Sequence, residues 1–262
     1  MSIADKLITI AENVQKTYDA GYEKGKSEGG YDEGYEIGHI EGKQAEYDRF
    51  WDAYQDYGNR AAYKNAFNNS GWTNETFKPK YDLIITSNSY NMFDDSHISG
   101  SLSEILANLG IKLEFTYISY QSGGFINTQF TEINYIVKNC EPTLSAVFRD
   151  SSQLHTLKVG TVTPRMKFSN AFNNLPSLEN LTIEGEIGQN GFDVSSSPLL
   201  SKTSIENVIG CLSNDTSDLA VSFSITAVNK AFETAEGLND GSTSAEWTTL
   251  ANTKSNWTIT LM

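Results

Sequence analysis

The chain has 262 residues, with 33 acidic against 19 basic side chains and a net charge of −14. That balance argues against a nucleic-acid backbone or an anionic membrane surface as the main partner. Hydrophobic residues reach 39%, too many for a disordered chain, and no apolar run approaches the roughly 18 residues of a membrane span. The opening stretch carries Asp5, Lys6 and Glu12, so no secretory signal is expected there.

At the N-terminus Ile3, Leu7, Ile10 and Val14 are spaced 4, 3 and 4 apart, a coiled-coil seam over two heptads. A single amphipathic helix docked on a partner fits the same pattern. Residues 18–30 (YDAGYEKGKSEGG) and 31–43 (YDEGYEIGHIEGK) then repeat with a period of thirteen. Gly21 and Gly25 in the first copy, and Gly34 and Gly38 in the second, step by four. On a helix that step keeps them on one face, where another backbone can approach closely. Each glycine also costs a helix up to about 1 kcal/mol, so such a helix needs partners, most simply copies of itself. A flexible glycine-rich linker is the alternative. Tyr47, Phe50, Trp51, Tyr54 and Tyr57 then supply an aromatic helix face. Residues 1–67 are therefore expected to form a helical oligomerisation and attachment stalk, with a trimer as the assembly. Residues 68–100, turn-rich around Gly71 and Pro79, read as a connector that docks Trp72 and Phe77.

A longer repeat occupies the remainder. Phe148 matches Phe172, and Leu154, Leu157 and Val159 match Leu178, Leu181 and Ile183, each at an offset of 24. Subtracting 24 again reaches Phe130, Ile133 and Tyr135. This period lies in the leucine-rich-repeat range, where stacking of successive units buries the leucines as a continuous core. Phe148 and Phe172 are expected on the convex side, filling each unit. Residues 101–110 and 201–212 read as capping helices, 112–117 and 219–225 as strands, 226–232 and 244–253 as further helices, and 256–262 as a closing strand. The expected fold class is α+β: an N-terminal helical, coiled-coil-like stalk, then over 101–262 a short irregular leucine-rich-repeat solenoid with helix and strand caps.

The outward positions of the predicted strands are Glu132 and Asn134, His155 and Lys158, and Glu179, Asn180 and Thr182. They form either a candidate binding face or a plain solvated one. Other motifs point to no chemistry. AGYEKGKS (20–27) fits a loose phosphate-loop pattern, but a phosphate loop needs a buried strand before it. The thirteen-residue repeat already accounts for its glycines. Gly185, Gly188 and Gly191 lack dinucleotide-loop spacing and read as a loop. His39, His97 and His155 are far apart in sequence and read as surface or turn residues. Asp94, Asp95, Ser96 and His97 either hold a cation or form a solvated turn or helix cap. Cys140 and Cys211 read as buried free thiols, although one disulfide could form. No catalytic residue, metal or cofactor is expected.

The stretch AEYDRFWDAYQDYGNRAAYKNAFNNSGWTNETFKPKYD, followed by NMFDDSHI and irregular leucine-rich units, resembles a group of structural proteins encoded by phages and prophages of gut Firmicutes. NAFNNLPSLENLTI is similar to BspA-like leucine-rich repeats, and LSKTSIENVIGCL with WTTLANTKSNWTITL looks like their terminal unit. The resemblance covers most of residues 44–262. It implies a virion location and a tail, fibre or baseplate-associated role. It also implies contacts with other virion proteins and with a host glycan or protein, and it supplies no catalytic residues. A bacterial surface or secreted adhesion module is the alternative; no nucleic-acid partner and no membrane span are expected.

Overall fold

Alternation of apolar and polar side chains makes strands of the middle of the chain. In the computed structural model, Ile133, Tyr135 and Val137 point inward from one strand and Leu157 and Val159 from the next, all at most 1% exposed. The structure describes residues 73–75, 77–79, 82–85, 92–118, 120–188, 192–214, 219–234 and 240–262. All of them lie in the unit Ala62–Met262.

The larger sheet contains β1 (Leu83–Ile85), β2 (Ser99–Ser101), β3 (Leu113–Thr116), β4 (Tyr120–Ser122), β5 (Gln129–Lys138), β6 (Thr143–Ser145), β7 (Thr156–Ser169) and β8 (Asn180–Ile187). Its order is β1-β3-β5-β7-β6-β4, with β2 also on β5 and β8 also on β7. A second sheet, ordered β11-β10-β9, is built from β9 (Phe192–Val194), β10 (Leu219–Phe223) and β11 (Trp257–Leu261). Every named pairing is parallel. Among the described residues four short α-helices accompany the sheets: α1 (Leu102–Asn108), α2 (Lys202–Cys211), α3 (Ile225–Ala231) and α4 (Ala245–Asn252). Each starts at a serine, Ser101, Ser201, Ser224 or Ser244, whose hydroxyl accepts an N–H three residues on. That is the favoured N-cap, typically worth about 1 kcal/mol.

The described residues do not form the expected α+β arrangement of a helical stalk followed by a leucine-rich-repeat solenoid. They form mostly a parallel-strand sheet curved into a half-barrel. The physical reason lies in the return segments, which the sequence reading left without strands. These segments bury Gln121, Leu144, Met166 and Phe168. β6 pairs with β4 on one side and with the end of β7 on the other. The 14-residue β7 thus runs through both sets of rungs. The seam Ile3, Leu7, Ile10 and Val14, the glycines Gly21, Gly25, Gly34 and Gly38, and the whole expected stalk lie outside the described residues.

The 24-residue offset is the register of neighbouring strands. Ile133 pairs with Leu157 and Leu157 with Leu181; Tyr135 pairs with Val159 and Val159 with Ile183. Phe130, Leu154 and Leu178 precede them, all fully buried. Phe148 and Phe172 fill the interior, at 0% and 1% exposed. They belong to a column of rings, Phe93, Phe125, Phe148 and Phe172, stacked at centroid distances of 5.3, 6.1 and 6.1 Å and within 29° of parallel. The column does not keep a constant period, because the first layer is longer. From Ser101 to Phe115 it takes 14 steps where β5 takes 5, from Glu132 to Val137. The extra residues form α1.

Two edge strands of the larger sheet, β2 and β8, are capped by side-chain amides. The carboxamide of Asn74 accepts from Ser99 N–H and donates to Ser99 C=O, each at 2.8 Å. On β8, Asn207 accepts from Ile183 N–H at 2.6 Å and donates to Ile183 C=O at 3.3 Å, while the Ser204 hydroxyl accepts from Leu181 N–H at 2.9 Å. Helix α2 thereby occupies the edge where another strand would add. Gly160 lets β7 approach β8, since a Cβ there would stand 2.5 Å from the Glu184 carbonyl oxygen.

The core gives a contrasting pair of predictions. Phe148→Ala opens the ring column and is expected to cost about 3–5 kcal/mol. The Tyr135 hydroxyl is buried with no hydrogen-bond partner among the described residues, so Tyr135→Phe is expected to be neutral or stabilising by about 1 kcal/mol. Urea unfolding midpoints of the two variants measure both effects.

Candidate functional site

The sheet that buries the apolar residues presents the alternate residues on its other face. Across β5, β7 and β8 the rows run Glu132–Thr156–Asn180, Asn134–Lys158–Thr182 and Ile136–Gly160–Glu184. His155 and Glu179 stand just before β7 and β8. The His155 N–H donates to the Thr131 carbonyl at 2.9 Å, and its own carbonyl accepts from Glu179 and Asn180 N–H, both at 3.0 Å. The face residues predicted from sequence, Glu132, Asn134, His155, Lys158, Glu179, Asn180 and Thr182, are therefore exposed or half-buried along one side of three consecutive strands.

The charges on this face are screened. Lys158 Nζ reaches Glu184 Oε1 at 2.5 Å, with both side chains about half exposed at 42% and 44%. Such a pair contributes on the order of 0–1 kcal/mol. His155 Nδ1 lies 3.7 Å from Glu179 Oε1, too long for a hydrogen bond. At the β5 end of the face, Asn134 and Ile136 wall a crevice of about 300 Å³ shared with Leu106 and Ala107 of α1. Beside it Lys112 and Lys138 both bind Glu114, and those hydrogen bonds hold its carboxyl below the usual range.

A second surface adjoins the face and was not found by sequence reasoning. It is a groove of about 770 Å³ where three layers of chain turn into their strands. Asp95, His97 and Ser99 come from the first layer, Asn127, Gln129 and Thr131 from the second, Ser152 and Gln153 from the third. A four-residue motif builds it: FDDS (93–96), FINT (125–128), FRDS (148–151) and FNNL (172–175). In each, the phenylalanine joins the interior column. The third residue, Asp95, Asn127, Asp150 or Asn174, has φ between 52° and 64°. Asp and Asn tolerate that left-handed conformation better than most side chains. Their side chains also bridge layers: Asn127 Nδ2 donates to Asp95 Oδ1 at 2.7 Å, and Asn174 Nδ2 to Asp150 Oδ1 at 3.0 Å. The signal was legible as this motif, but its members are offset by 32, 23 and 24, so a fixed-period search misses the first two.

Of the readings of residues 94–97 as a cation site, a solvated turn or a helix cap, a turn is present at 94–95, but Asp94 in it is not solvated. Its carboxylate is buried, and Oδ1 accepts from Gly124 N–H at 2.7 Å and Ile126 N–H at 2.9 Å. Burial pushes its carboxyl above the ordinary value, against the pull of those two N–H groups. The group anchors the first layer to the second. His97 lines the groove, His155 is on the face, and His39 lies outside the described residues, as does AGYEKGKS. Residues 185–187 belong to β8 rather than to a loop. Cys140 and Cys211 are half-buried thiols that do not pair with each other; they donate to different carbonyls, those of Ile118 and Ile183. Phe77 is buried as expected of the connector; Trp72 is outside the described residues.

Among the described residues no three His, Cys, Asp or Glu side chains gather as a metal site. No described helix is long and apolar enough to cross a membrane. Compared with protein-family models, with curated proteins and with solved structures, the chain matches none.

Asp94 yields a pH-dependent prediction. A carboxyl whose folded-state value is raised contributes its stability at low pH and loses it as pH rises through that value. Asp94→Asn keeps an acceptor for both N–H groups without the buried charge. Its stability relative to the native chain is therefore expected to rise as pH climbs from about 3 to 7. Asp94→Ala removes the same titration but strands both donors, so it is expected to be less stable than Asp94→Asn by about 2–4 kcal/mol at every pH. Thermal melts across that range distinguish the two.

Proposed function

We propose that the chain is a non-enzymatic virion structural protein, a tail- or fibre-type subunit that displays its β-rich domain to a host or partner surface. The observation that carries this reading is the outer face of β5, β7 and β8. Three strands in fixed register hold polar side chains at constant spacing, and the core behind them is fully buried. Such a face suits contact: its side chains are placed by the backbone ladder and need no rearrangement to meet a partner. The resemblance of residues 44–262 to phage and prophage structural proteins supports the virion setting. The heptad seam and glycine repeat of residues 3–42 support assembly as a homo-oligomer, a trimer, beside other virion proteins.

The test is fractionation of the strain that encodes the chain, after particle induction, with quantitative mass spectrometry of particles and cell envelope. The proposal predicts stoichiometric recovery with the particles. Recovery with the envelope alone overturns it in favour of a bacterial surface adhesion module. Light scattering on the purified full chain is expected to give a trimer mass that falls to a monomer without residues 1–60; a monomer for both removes the assembly.

A further inference from the structure

The groove beside the face has a composition of its own. The chain as a whole carries a net charge of −14, yet among the described residues the only carboxylate in the groove lining is Asp95, and its Oδ1 is already bound by Asn127. No lysine, arginine, aromatic or large aliphatic side chain lines it among the described residues. Its walls are amides and hydroxyls with one imidazole, His97. At about 770 Å³ it falls within the size of small-molecule sites, which are otherwise lined mainly by apolar groups. A ligand for it must therefore be polar as well.

Elimination by chemistry leaves one class. A phosphate or sulfate ester finds no cationic partner here. A divalent cation needs several oxygen ligands with more than one carboxylate to compensate its charge. An apolar ligand finds less apolar than polar surface to bury against. Amides and hydroxyls both donate and accept, which matches a ligand whose own groups do both at every position. The groove also repeats. Ser99 pairs with Gln129 across β2 and β5, Gln153 follows Gln129 at the 24-residue offset that relates β5 to β7, and neighbouring strands of a parallel sheet are about 4.8 Å apart. That comb presents similar hydrogen-bonding groups at a regular step, as a polymer of hydroxylated rings does.

We infer that this groove binds a neutral oligosaccharide, held by Gln129 and Gln153 with His97 and Asn127. The inference stands on the groove and not on the virion assignment, so either can fail alone. The backbone turns that place these side chains are locked by Asp94 and by the Ser151 hydroxyl, which donates to Phe125 C=O at 2.6 Å and accepts from Thr128 N–H at 3.1 Å. The site is thus formed before any ligand arrives.

The experiment titrates the full chain with hexasaccharides of glucose (α- and β-linked), N-acetylglucosamine and galactose, and with polygalacturonate as the charged comparison, followed by calorimetry and ligand-observed NMR. At least one neutral hexasaccharide is expected to bind saturably, with affinity reduced tenfold or more by Gln129→Ala and by Gln153→Ala. Lys230→Ala, exposed on α3 and outside the groove lining, is expected to leave it unchanged. Circular dichroism of each variant checks that the fold is kept; Gln129→Asn and Gln153→Asn provide milder changes if an alanine variant fails to fold. Binding by none of the neutral sugars, binding by polygalacturonate only, or binding indifferent to both glutamines overturns the inference.

Discussion

One aromatic ring per layer, stacked on the ring of the layer before, is the contact on which the remaining structure depends. Phe93, Phe125, Phe148 and Phe172 fill the interior at separations of 5.3 to 6.1 Å. That spacing is a little wider than the roughly 4.8 Å between neighbouring strands. Rings held in an offset stack at this distance gain about 0.5–1.5 kcal/mol per pair beyond their buried area. The column also fixes layers in register, because moving one layer by a residue takes its ring out of the stack and turns its leucines toward water. The outer face and the groove inherit their regularity from that constraint.

The turns that carry the rings solve a different problem. Each must reverse the chain within a few residues while satisfying the buried backbone groups beside the column. An Asp or Asn in the left-handed region makes the bend, and a following Ser or Thr takes up backbone groups, Ser96 and Thr128 within their own turns and Ser151 in the layer before it. Where the fourth layer has Leu175 instead, Ser196 of the next segment supplies the missing hydroxyl, donating to Phe172 C=O and accepting from Asn174 N–H. The same substitution of side chain for backbone closes the sheet at Asn74 and at Asn207. Further along, Lys254 Nζ, Asn256 Nδ2 and Trp257 Nε1 bind the carbonyls of Leu212 and Ser213 and tie the C-terminal strand to the end of α2.

How much of this the sequence disclosed depended on which feature was periodic. The inward row Ile133, Leu157 and Leu181 recurs at a constant 24 and is the true strand register. The outward residues Asn134, Lys158 and Thr182 followed from it. Less legible was the return path, since Tyr120–Ser122 and Thr143–Ser145 are only three residues long and too short to show alternation; their strands are specified by pairing with neighbouring layers. The phenylalanine column was half visible, at Phe148 and Phe172, because α1 lengthens the first layer and shifts Phe93 out of phase. The groove was invisible for the same reason: its walls come from three layers whose sequences align only through the turn motif. The burial of Asp94 could not be read from its acidic neighbour Asp95, since two adjacent acids in a turn face opposite environments.

The most direct test of the central claim is to remove one whole layer. Deleting residues 133–156 takes out 24 positions, so that Leu157 follows Glu132 in the place of Ile133. Deleting 133–155 instead takes out one residue fewer and puts every following side chain on the wrong face. Urea unfolding followed by far-ultraviolet circular dichroism compares them. The account predicts a cooperative, β-rich transition for the first deletion and none for the second. Equal behaviour of the two, whether folded or unfolded, contradicts a structure held together by layers in a fixed register.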